Sequence, residues 1–295
     1  MYQIIALITG LATAVMMTLN GRLADAVGVF PSAAIIHAVG VVFALLICAV
    51  RRWHPIPKND APWWSYTAGV IGVMTTIFIN IAFRTISMTS IIALSLLGQT
   101  VASLVFDHTG IFGMEKRPFR HATWIGLAFS LVGIYMMLDR SVTEGIVAVL
   151  LALASGIVMV ATRAINAELA RHIGALRGSF VNHLAGLPIT VALALALAKT
   201  LPPTDPSLVN RPWIYLGGII GVLVILSFNV IVPQITQFHI TVLTFVGQIF
   251  AGLAIDWMLE RATDDATFAG GIIIAVGIAL NLFFEYREKR KTARR

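Results

Sequence analysis

Ten polar side chains stand out within or just beyond the long apolar stretches of this sequence: Asn20, His37, Asn80, Gln99, Asp107, Asn166, His183, Asn229, Gln248 and Asp256. Such groups are costly in hydrocarbon, so those that persist there face a cavity or a partner. An imidazole titrates near neutral pH, so His37 and His183 could carry or sense a coupling proton. The same rings could instead bond a backbone carbonyl and tie two helices together. Asp107 and Asp256 stand two helical turns beyond Gln99 and Gln248. Either they act as gate residues or cation ligands, or they cap a neighbouring helix or pair with Arg117 and Arg261. Each glutamine follows a glycine that admits a neighbouring backbone, and both substrate contact and interhelical bonding suit it.

The motifs of soluble catalysis are missing. There is no P-loop lysine motif to harness ATP, no His-Glu-x-x-His, no Gly-x-Ser-x-Gly, and no Cys/His cluster at metal spacing. The lone cysteine, Cys48, lies in an apolar run, so no intrachain disulfide forms. No catalytic residue, cofactor or metal ligand is expected.

The elements that must position these groups are membrane helices. Of 295 residues, 58% are hydrophobic and 12% charged, against roughly 25% charged in soluble domains. Ten apolar segments, near the roughly 20 residues that span a bilayer, fall at 3–21, 31–50, 64–83, 88–106, 121–138, 144–164, 178–198, 212–232, 239–257 and 266–285. The short alternating strands of an outer-membrane barrel are not seen. The first segment lacks a basic lead and reads as a retained helix rather than a signal peptide. Of 21 Lys and Arg, 15 fall on the side holding both termini and six on the other, which predicts cytoplasmic termini. That asymmetry explains the net charge of +7 without nucleic acid. The tail 286–295 fits a topology anchor or a patch for anionic lipid or a partner.

The two halves of the chain match. Gly10, Asn20, Leu23, Ala24, Gly28, His37 and Gly40 recur 146 residues later as Gly156, Asn166, Leu169, Ala170, Gly174, His183 and Gly186. Trp64, Gly69, Gly72, Asn80, Gly98, Gln99 and Asp107 recur 149 residues later as Trp213, Gly218, Gly221, Asn229, Gly247, Gln248 and Asp256. Five spans per half is an odd number, so the second half enters the membrane in the opposite sense, a recurring plan of secondary transporters. The expected fold class is therefore an all-α integral membrane protein of ten transmembrane helices as an inverted 5+5 repeat, with residues 1–140 and 141–295 as the halves. Depth along the spans suggests two mixed clusters: Asn20, His37 and Asn80 with Gln248 and Asp256, and Asn166, His183 and Asn229 with Gln99 and Asp107. Gly126, Gly133, Gly270 and Gly277 lie two turns apart in pairs and predict smooth packing seams.

Asn20-x-x-Leu23-Ala24, the Gly40 helix and Gly98-Gln99 followed by Asp107 and Gly110 resemble the YdcZ-like family of the drug/metabolite transporter superfamily. The resemblance covers both halves. It implies a ten-helix fold and transport of a small molecule, and it fixes no substrate. Small multidrug resistance proteins, distant relatives in fold, carry a glutamate within the first helix; Ile4–Leu19 here holds no acidic residue. The expected function is secondary transport across a bacterial-type inner membrane by alternating access, with proton coupling through the histidines as one form of it. An uncoupled facilitator or exchanger, an intramembrane enzyme, and a non-transporting scaffold or sensor subunit are the alternatives. The expected partners are a small-molecule substrate and the lipid bilayer. Fusion of both halves makes a functional monomer reasonable and leaves a dimer open.

Overall fold

Away from water, a backbone must satisfy its own N–H and C=O groups, and uninterrupted runs of Ala, Leu, Ile and Val do so as helices. The computed structural model describes residues 1–54, 60–82, 85–86, 88–117, 121–138, 142–143, 145–197, 211–258 and 265–292. Among the described residues there are ten α-helices, one in each expected segment. They are α1 (Tyr2–Val27), α2 (Val29–Val50), α3 (Ala68–Ala82), α4 (Met88–Thr109), α5 (His121–Met137), α6 (Ile146–Ile173), α7 (Ala175–Leu197), α8 (Leu216–Ile231), α9 (Gln237–Met258) and α10 (Asp265–Thr292). Short 3₁₀ turns at Trp63–Thr67 and Pro212–Tyr215 lead into α3 and α8. Six of these segments, α1, α2, Ser90–Thr109 of α4, α6, α7 and Pro212–Ile231, are long and apolar enough to cross a membrane.

Two expected loops are absent. The segments 22–30 and 165–177 carry enough polar residues to suggest connectors, yet α1 and α6 run through them to Val27 and Ile173. A single glycine then turns the chain, Gly28 (φ 88°) before α2 and Gly174 (φ 91°) before α7. Left-handed backbone of this kind is open to glycine and strained for other residues. Each glycine closes the preceding helix and opens the next. Gly28 N–H donates to Ala24 O and Gly174 N–H to Ala170 O, while Gly28 O accepts from Ser32 N–H and Gly174 O from Gly178 N–H.

The chain folds into two compact units, and each draws on both halves of the sequence. The first, here the histidine unit, comprises Leu11–Met74 and Ala161–Gln234. Its core joins Val41 and Ala44 of α2, Leu169 and Ile173 of α6, Phe180 and Val181 of α7, and Val222 of α8. The second, the aspartate unit, comprises Met1–Gly10, Thr75–Val160 and Ile235–Arg295. Its core includes Ala82, Ile86, Ile91, Leu94, Ala148 and Ala152. In this unit α5 and α10 pack along the expected glycine seam: a Cβ on Gly133 would strike the Gly270 carbonyl, and one on Gly270 would strike that of Gly133.

Candidate functional site

The histidine unit is built around a reciprocal contact between α2 and α7. His37 and His183 are each the ninth residue of their helix, counted from Val29 and from Ala175. Their rings approach to 5.6 Å between centroids at 53°. Depth along the spans places the two in different clusters. Both lie well inside their helices rather than near opposite ends, and so they meet. Each ring rests over the glycine three residues beyond its counterpart: His183 over Gly40, and His37 over Gly186. Only glycine leaves room there for an imidazole. Each Nδ1 lies 2.9 Å from the carbonyl four residues back, Ala33 O for His37 and Ser179 O for His183. A carbonyl only accepts, so the proton resides on Nδ1 and the Nε2 lone pair is left as an acceptor.

Three asparagines of the same unit present buried acceptors. Asn166 Nδ2 donates to Asn182 Oδ1 at 3.0 Å, and Asn229 Nδ2 donates to Ala175 O at 3.0 Å. The Asn20 side chain lies against Gly217. The carbonyl oxygens of Asn20, Asn166 and Asn229 are buried with no hydrogen-bond partner among the described residues. A buried polar atom left unpaired costs about 1–3 kcal/mol, so these oxygens are places for a donor from water or a ligand.

Two residues of this unit were not singled out from the sequence. Asn182 holds Asn166, and only its spacing from Asn166 could have hinted at it. Arg163 had been counted among the flanking charges that set topology, but it lies within α6 at 5% exposure. Its guanidinium stands 5.2 Å from the centre of the Phe228 ring, a cation–π contact that offsets part of the cost of burial. A charge count cannot separate a buried arginine from one beyond a helix end.

In the aspartate unit, Asp107 at the end of α4 receives the first turn of α9. The N–H groups of Gln237 and Phe238 donate to its two carboxylate oxygens at 2.8 and 3.0 Å. These donors have no partner within their own helix, and a negative charge there also complements the helix dipole. Beside it, His239 spans Thr236 Oγ1 (2.7 Å) and Asn281 Oδ1 (2.8 Å). With Asn281 accepting, the ring donates from Nε2, and the Thr236 hydroxyl, which accepts from His239 N–H at 3.1 Å, donates to Nδ1. Sequence reading missed His239 and Asn281, whose counterparts in the first half are not a matching pair. Hydroxyl pairs Ser103–Thr241 (2.8 Å) and Ser155–Ser95 (3.2 Å) join further helices of this unit. Gln99 and Gln248 are half-buried. The side chains of Asn80 and Asp256 lie outside the described residues, as do Arg120, Arg84, Arg140 and Arg261 of the charge count.

A family model described as "Putative inner membrane exporter, YdcZ" matches residues 1–136 and 147–280. The chain belongs to the YdcZ family. Membership agrees with the apolar helices and with a transport class of protein rather than a soluble enzyme. A solved structure described only as the crystal structure of a protein is similar to this YdcZ-family chain with a TM-score of 0.73 at 14% identity, over 97% of this chain and 96% of that one. At that identity the likeness concerns fold alone. No protein of curated function matches the chain.

Proposed function

We propose that this YdcZ-family chain is a secondary transporter moving a small molecule across the inner membrane by alternating access between two inverted five-helix halves, residues 1–140 and 141–295, with both termini cytoplasmic. The observation that carries the proposal is the reciprocity of contacts. His183 on Gly40 answers His37 on Gly186. Gly10 against the backbone of Thr244 answers Gly156 against the backbone of Ser95. Gly221 beside Met16 answers Gly72 beside Thr162. Two interlocked halves of similar sequence can exchange roles about a common centre, as inverted-repeat transporters do. The separate matches of one family model to residues 1–136 and 147–280 support the same duplication.

The substrate in this reading carries N–H or O–H donors, since the unpaired Asn20, Asn166 and Asn229 oxygens and the two imidazole Nε2 atoms are all acceptors. Gln99 and Gln248 belong to the aspartate unit and are not counted among these acceptors. Asp107 is assigned to holding α9 and not to the substrate. Proton coupling through His37 and His183 uses the free Nε2 lone pairs. An uncoupled facilitator or exchanger is favoured by the close packing of both rings on glycine.

The test is uptake into proteoliposomes containing the purified chain, screened over small amines, amino acids and polyols with and without a pH gradient. Once a substrate is found, flux that follows the gradient in the wild type and ceases to do so in His37→Gln/His183→Gln supports coupling. Gradient-driven flux that survives in the double variant removes the histidines from that role.

A further inference from the structure

The two halves agree at Asn20 and Asn166 and at His37 and His183, and they differ beside each pair. Thr162 stands where the first half has Met16, and Asn182 stands where it has Ile36, both 146 residues on. All four positions belong to the histidine unit. The second half is therefore polar at two places where the first is apolar.

Thr162 differs from other helix hydroxyls of this unit. Thr18, Thr190 and Ser227 each donate to the carbonyl four residues back, at 3.0, 3.0 and 2.9 Å, the ordinary way to satisfy such a group inside a helix. Thr162 Oγ1 is buried and makes no hydrogen bond among the described residues. Four residues on, Asn166 Oδ1 is also buried without a partner. Its amide is kept from turning by the bond from Nδ2 to Asn182 Oδ1 at 3.0 Å. Residues four apart on a helix have Cβ atoms roughly 5–6 Å apart, so one bridging oxygen reaches both. Two glycines of α3 close over this face of α6 and α7. A Cβ on Gly69 would strike the Asn182 carbonyl, and one on Gly72 would lie 3.5 Å from Thr162 Cγ2 and 4.0 Å from its Oγ1.

The pair is chemically selective. Thr162 offers an O–H donor, and Asn166 Oδ1 only accepts. A hydroxyl satisfies both at once, accepting from Thr162 and donating to Asn166. An ammonium has no lone pair for the Thr162 proton, and Arg163 on the same turn already holds a fixed positive charge at 5% exposure. A carboxylate has no proton for Asn166.

We propose that Thr162 and Asn166, with Asn182 orienting the latter, form the subsite for a hydroxyl group of the substrate, and that the substrate is a neutral polyol rather than an amine or an acid. Met16 and Ile36 leave the equivalent place in the first half without this subsite. In taking the ligand to be the cargo, the proposal rests on the transport reading above.

The test is equilibrium binding of tritiated glycerol, erythritol, xylitol and sorbitol to the full-length chain in detergent, with diamines and dicarboxylates of matched length as competitors. At least one polyol should bind, and neither class of competitor should displace it. Thr162→Ser should keep the affinity, and Thr162→Val should weaken it about tenfold, the loss of one hydrogen bond. Without ligand, Thr162→Val should melt no lower than the wild type, because a methyl in place of an unbonded buried hydroxyl removes no bond from the folded state. Binding of no polyol, displacement by a diamine or a dicarboxylate, unchanged affinity in Thr162→Val (the result if only water occupies the place), or a lower melting temperature for that variant would each overturn the proposal. Binding is read without flux, so a polyol that binds but is not taken up by proteoliposomes would count against transport and leave the subsite standing.

Discussion

At the scale of single residues, the most consequential side chains are those that fasten one helix to another. Asp107 is one, since both carboxylate oxygens are committed to the first N–H groups of α9. Replacing a helix-capping side chain by alanine costs about 0.5–2 kcal/mol, so Asp107→Ala should lower thermal stability in detergent by that order. Asp107→Asn should recover part of it, because an amide oxygen still accepts one bond. The His183–Gly40 contact is a second fastening. Gly40→Ala should cost about 1–3 kcal/mol through overpacking. Added to His183→Ala it should cost far less than alone, giving a coupling of about 0.5–3 kcal/mol in a double-mutant cycle. A third residue acts at the surface: His172 lies 3.2 Å from Asp60 and 3.2 Å from Glu168, and its hydrogen bond holds the Asp60 carboxyl below its ordinary value. A carboxylate with a lowered folded value stabilises the protein above its unfolded value, near about 4, and that contribution disappears as pH falls through the folded value. Melting curves of wild type and Asp60→Asn should therefore differ slightly at neutral pH and converge in acid.

Among the helices, the connections matter as much as the spans. Gly28→Ala and Gly174→Ala each place a side chain at φ near 90°, and each should cost about 1–3 kcal/mol in thermal or denaturant unfolding. Similar losses at the two sites would reflect their equivalent places in the two halves. These joints show how far the sequence could be read. The matched glycines, asparagines and histidines were visible as repeats, and apolar run length located all ten helices. The helix ends were not visible, because a polar stretch such as 165–173 can be either a connector or a helix turn, and packing decides between them. Arg163 shows the same ambiguity for charge: nothing local distinguishes it from Arg171, eight residues on. The meeting of His37 and His183 required knowing which helices cross, and depth along each span does not contain that information. Asp107 was readable as a cap because a carboxylate at one helix end suits the start of another, but its partner could come only from the fold.

For the molecule as a whole, the orientation proposed from charge can be tested with little disturbance. Cys48 is buried, so a membrane-impermeant thiol reagent should leave the wild type unlabelled in intact cells. Arg287→Cys should label only after the membrane is permeabilised, and Arg211→Cys should label without it; the reverse pattern would invert the assigned topology. The division into two units, each assembled from both halves, means that neither half alone contains a complete core. Removing residues 141–295 should therefore leave a polypeptide that cannot form the α2–α7 or α5–α10 packing. The one-residue joints at Gly28 and Gly174 carry a consequence for biogenesis. With one residue between them, α1 and α2 leave no room for a loop, and neither do α6 and α7. In the transporter reading each pair must therefore cross in opposite senses, so the direction taken by the first member dictates that of the second.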